Sequence, residues 1–121
     1  MQVRASATEG LLRLGDTSAI SLAADLAKHP DPSIRTAAAH ALGATADKEA
    51  VTILQTLLQD KQPQPRLFAA KALGTTGAPV MPLLKITLQD TDIAVRLAAA
   101  VSLLQQLRRS VPTPKMRQPT N

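Results

Sequence analysis

Few side chains in this sequence could do chemistry: two histidines, nine acids and four arginines on a fixed spacing. His29 is followed by Pro30 and His40 by Ala41, so neither has a glutamate beside it to share a metal ion. There is no cysteine, which excludes thiolate metal sites and a disulfide framework. No glycine-rich loop offers backbone N–H groups to a phosphate, and no serine stands in a nucleophile elbow. No metal and no cofactor are expected, and the chain is read as a non-enzyme.

The arginines are Arg4, Arg35, Arg66 and Arg96, spaced by 31, 31 and 30 residues. Asp31 and Asp92 stand four residues before Arg35 and Arg96, the spacing of a helical ion pair worth a few tenths of a kcal/mol. Arg66 has Gln62 at that position, and Arg4 has nothing. The four arginines are therefore read as structural.

Such a spacing requires repeated elements to carry it. Three residues after each arginine comes Ala7, Ala38, Ala69 or Ala99, and seven after it Leu11, Leu42, Leu73 or Leu103. Positions three and seven on lie along one helical face, so residues 2–14, 33–43, 64–74 and 93–108 read as helices. A second set at 17–28, 47–59 and 78–89 carries its own apolar stripe, for example Val51, Leu54 and Leu57. Gly15, Gly43 and Gly74 are expected to end the arginine helices in the left-handed conformation. Asp16 and Asp47 are expected as N-caps. Pro30, Pro32, Pro63 and Pro65 are expected in the turns between one helix pair and the next. Pro82 starts its helix nearer residue 80.

Helix pairs of this length cannot bury their stripes alone, and stacking them side by side makes one continuous core. With Phe68 the only aromatic residue, that core consists of Ala, Leu, Ile and Val. No apolar run is long enough for a membrane span and no signal-peptide pattern opens the chain, so it is expected in the cytoplasm. The net charge of +5 is unevenly placed. Arg108, Arg109, Lys115 and Arg117 fall in the last residues with no acid among them, leaving a near-neutral body and a basic tail.

Asp31-Pro32, Ile34-Arg35, Ala37-Ala38-Ala39 and Ala41-Leu42-Gly43 resemble the short HEAT-like repeats of the phycobilisome-lyase family. Val95-Arg96 with Ala98-Ala99-Ala100, and Val3-Arg4, look like further copies. The resemblance covers residues 2–107. It implies an all-α solenoid of about seven helices in a right-handed superhelical array, the arginine linking adjacent layers. Its phase makes 2–14 an orphan helix, followed by pairs at 17–43, 47–74 and 78–108. Composition makes 109–121 a disordered, basic, Pro-rich tail. It also implies that the Val-Arg helices line a concave surface whose variable positions follow the arginine. Here these include Glu9, His40, Lys71 and Val101 five residues on, with Thr36, Leu67, Phe68 and Leu97 beside the arginines.

That surface is polar in its first half and apolar in its second, where Leu67, Phe68, Leu97 and Val101 are expected to form one patch framed by Lys71 and His40. Phe68 has two readings, a core filler or an anchor point for a partner. The last helix is apolar nearly all round, so its end is expected to meet another protein, another domain or a second copy of the chain. The function expected is a non-catalytic protein-binding scaffold. Two alternatives are an accessory subunit or fragment of a bilin lyase, and nucleic-acid binding through the basic tail.

Overall fold

A computed structural model describes residues 19–110, which form six helices and no strand. These are α1 (Ala19–Ala27), α2 (Pro32–Leu42), α3 (Lys48–Leu57), α4 (Pro63–Thr75), α5 (Met81–Thr87) and α6 (Ile93–Ser110). The orphan helix with Arg4, Glu9, Gly15 and Asp16, and the segment after Ser110, lie outside the described residues. The helices form two rows. α2, α4 and α6 stack most extensively on one another, while α1, α3 and α5 each pack on the helix that follows.

Short-range chemistry sets the helix starts. The Asp31 carboxylate accepts from the Ser33 N–H at 2.9 Å and that of Asp47 from the Glu49 N–H at 2.8 Å. Each fills one of the donors that a helix N-terminus leaves open. Asp92 does the same for α6, accepting from the Ala94 and Val95 N–H groups. The ion pairs expected four residues apart do not form, because Asp31 and Asp92 serve as caps. Ser33's hydroxyl, then its backbone N–H, holds the Asp31 carboxyl below its ordinary range.

The prolines also differ from expectation. Pro30 lies in the turn inside a pair rather than between pairs, but Pro32 and Pro63 are the first residues of α2 and α4. Pro65 is buried within the first turn of α4. An N–H is unneeded there and the fixed φ suits a helix start. Pro82 falls in the first turn of α5 for the same reason.

The core follows the repeat. Ala38, Ala69 and Ala99 are fully buried, as are Leu42 and Leu73, and Leu54 and Leu84 reach in from the other row. Leu103, in the last described layer, is only half-buried.

The glycines keep the layers close rather than bending the chain. Gly43 has φ −66°, an ordinary right-handed value, and Gly74 sits inside α4. A Cβ on Gly43 would lie 2.7 Å from Thr75 Oγ1 and 3.1 Å from Ala72 Cα. One on Gly74 would lie 2.7 Å from Ser102 Cβ and press on the Gln105 side chain.

Two sets of polar links bind one layer to the next. At one end, Arg35 forks the carboxylate of Asp60, with Nε to Oδ2 at 2.7 Å and Nη2 to Oδ1 at 3.0 Å. Arg66 grips Asp90 in the same way at 3.0 and 3.2 Å. Each Nη1 meanwhile donates to two carbonyls of its own preceding turn: His29 and Pro30 for Arg35, Asp60 and Lys61 for Arg66. At the other end, Thr76 Oγ1 donates to the Thr45 carbonyl at 2.7 Å, and Ser102 Oγ to that of Ala70 at 2.7 Å. Gln106 Nε2 and Arg109 Nη1 both reach the Thr76 carbonyl. Arg109 thus belongs to the helical body, not to a tail.

Burial pushes the Asp60 carboxyl up, but the Arg35 guanidinium and the Gln62 N–H outweigh it and hold the group below its ordinary value. The hydrogen bond to Asp60 in turn raises Arg35. A carboxyl lowered by folding contributes its full stability above its unfolded value, about pH 4, and loses it as pH falls through the folded value. Asp60→Asn is therefore expected to cost about 1–3 kcal/mol near neutral pH. It should also flatten the acid limb below about pH 4, as followed by urea unfolding across pH.

Candidate partner-binding grooves

The row formed by α2, α4 and α6 presents two grooves, each set by the helical spacing of the residues at its rim. Between α4 and α6 lies a groove of about 510 Å³. Leu67, Lys71 and Thr75 line it at four-residue intervals from α4, facing Leu97, Val101 and Gln105 at the same interval from α6. No residue of α1, α3 or α5 contributes to it. Its wall is mostly apolar. Leu97 is 64% exposed and Val101 48%, an unusual cost for two large apolar side chains one turn apart on the same wall of a cleft.

The neighbouring groove, about 520 Å³ between α2 and α4, is lined by His40, Gly43, Phe68 and Lys71 among others. The Lys71 ammonium lies 5.1 Å from the Phe68 ring centroid, within cation–π range. His40 meets the same ring edge-on at 6.3 Å and 76°. Phe68 is half-buried and also packs against the central core, so one side of it fills space and the other lines the groove.

The single patch expected from sequence is thus divided. Leu67, Lys71, Leu97 and Val101 come together in the α4–α6 groove. Phe68 and His40 stand in the α2–α4 groove, with Lys71 on the ridge between them. One residue along a helix is a rotation of about 100°, so Leu67 and Phe68 flank opposite sides of α4. Thr36 lines neither groove, and its hydroxyl donates to the Pro32 carbonyl at 2.8 Å. Thr75 and Gln105 were not anticipated; they extend the rows begun by Leu67 and Leu97, so a four-residue step along each helix would have found them.

Among the described residues no group of three His, Cys, Asp or Glu could hold a metal ion. None of the described helices is long and apolar enough to cross a membrane.

Two rows of helices, repeated about every 31 residues and tied by recurring arginines, define an α-solenoid. A family model of HEAT repeats matches residues 2–69, and the chain belongs to the HEAT-repeat family. No curated protein matches it.

Proposed function

We propose that this chain is a non-catalytic docking module that seats a partner protein's apolar side chain in the α4–α6 groove. The observation that carries the reading is the pair Leu97 and Val101, left open to solvent opposite Leu67. A partly desolvated apolar cleft with a cationic rim is the kind of pocket that takes a hot-spot anchor. Lys71 at the rim favours an acidic or carbonyl-rich segment beside that anchor. HEAT repeats in general mediate protein–protein interaction, which agrees with this use of the surface. The outer face of α6, with Ile93, Leu104 and Leu107 exposed, is a second contact surface in the same reading.

Val101→Asp places a charge in the groove without touching the core. It is expected to abolish capture of a groove-binding partner from the source cell while leaving the melting temperature within about 2 °C of the parent. Capture that survives Val101→Asp and Leu97→Asp alike would remove the groove from the account.

A further inference from the structure

The charged side chains of α2, α4 and α6 are all basic: Arg35, Arg66, Lys71, Arg96, Arg108 and Arg109, with no aspartate or glutamate on any of the three helices. The acids of the described residues stand elsewhere. Asp25 and Glu49 belong to α1 and α3, in the other row. Asp31, Asp47 and Asp92 cap helix starts, while Asp60 and Asp90 pair with Arg35 and Arg66. Among the described residues no carboxylate reaches the Lys71 ammonium, which rests on the Phe68 ring at 5.1 Å. A cation–π contact orients an ammonium but brings no counter-charge. Lys71 thus holds a full positive charge, exposed, beside two clefts.

The same residue joins those clefts. Lys71 and Thr75 line both the α4–α6 and the α2–α4 groove, so α4 is a ridge with a cleft on either side. Neither cleft is lined by an acid. Packed helices lie about 8–10 Å apart, and two clefts that flank one helix are separated by about the same distance. A polyproline-II segment rises about 9 Å in three residues and returns to the same side. Its residues i and i+3 therefore reach both clefts as the backbone crosses α4. A carboxylate at i+1 or i+2 points along the ridge, within reach of the long Lys71 stem. A helix laid along one cleft would cover Leu97 and Val101 and leave the Phe68 side empty.

We infer that the partner is an acidic extended segment that crosses α4, with an apolar side chain in each groove and a carboxylate on Lys71. This deepens, and rests on, the reading of the α4–α6 groove as a docking site. The charge of the row favours such a segment over a basic one. Phe68 then has two roles on its open side, a wall for the second anchor and a seat for the ammonium.

A library of random dodecapeptides displayed on phage, panned against the full chain, tests this. Enriched sequences are expected to carry two apolar residues three positions apart, with Asp or Glu between them. A selected peptide, labelled and titrated by fluorescence anisotropy, should bind about tenfold or more weakly to Lys71→Glu and within about twofold of the parent to Lys71→Arg. Leu97→Asp and His40→Asp, one in each groove, should each weaken it by a similar factor of about ten. All three positions are exposed, so melting temperatures should stay within about 2 °C of the parent. Panning against the Lys71→Glu chain should exchange the intervening acid for Lys or Arg. Peptides with one anchor, or with anchors four apart, that are lost on Leu97→Asp but indifferent to His40→Asp and Lys71→Glu would keep the groove and overturn the crossing. Binders indifferent to all three substitutions, or no binder at all, would remove the crossing and the groove together.

Discussion

Leu73→Ala is expected to destabilise the protein by about 2–5 kcal/mol, measured by urea or thermal unfolding. Leu73 is fully buried in α4, the helix packed on both sides by its own row, so the surroundings cannot collapse into the space left behind. The loss therefore combines the transfer free energy of the deleted groups with a cavity term. Against a total stability of about 5–15 kcal/mol, that is enough to unfold a large fraction of the chain at moderate temperature. Leu42→Ala should behave alike, since Leu42 is equally buried in α2. Leu103→Ala should cost clearly less, because the same register in α6 is only half-buried. A ranking of Leu42 and Leu73 above Leu103 is the expected signature of the difference in burial between the inner layers and the last described one.

The second large effect comes from adding atoms rather than removing them. Gly74→Ala would gain about 1 kcal/mol of helix propensity at an exposed site. Here the new methyl lies 2.7 Å from Ser102 Cβ, an atom fixed by the backbone of α6, so the two helices must separate. Overpacking of this kind costs about 1–3 kcal/mol, which outweighs the propensity gain. Separation also stretches the 2.7 Å bond from Ser102 to the Ala70 carbonyl. Gly74→Leu should be worse still and is expected to melt the α4–α6 contact altogether. Leu104→Ala, at the equivalent position of the last described layer, is expected to stay within about 0.5 kcal/mol of the parent. Calorimetry on the three variants checks the set.

Much of this architecture was legible in the sequence because a solenoid writes its packing period directly into its residues. The spacing of the arginines, with Ala38, Ala69 and Ala99 and then Leu42, Leu73 and Leu103 behind them, placed the helices of one row to within a few residues. The partners of the arginines were less legible. Asp31 and Asp92 stood at an attractive spacing but were taken by the backbone of their own helix ends. The carboxylates that do pair come from 25 and 24 residues downstream, a separation that only the stacking of layers makes short. The glycines misled for a related reason. Glycine ends helices, but here its missing side chain serves the neighbouring layer. The groove was half legible. Position relative to the repeat arginine, as the family resemblance implies it, pointed to Leu67, Lys71, Leu97 and Val101, whereas the rotation of α4 separated Phe68 from them.

The arginine rungs, glycine contacts and leucine layers account for how the stack holds together, and none of them needs a partner. Leu97 and Val101 have no such duty, which is why the docking role is assigned to them. The most direct test is a photo-reactive amino acid placed at Val101 in one variant and at Gln55, exposed on α3 in the other row, in a second. Irradiation in the source cell is expected to give a discrete cross-linked protein from Val101, lost on Leu97→Asp, and none from Gln55. A discrete product from Gln55 with none from Val101 would contradict the assignment of the groove.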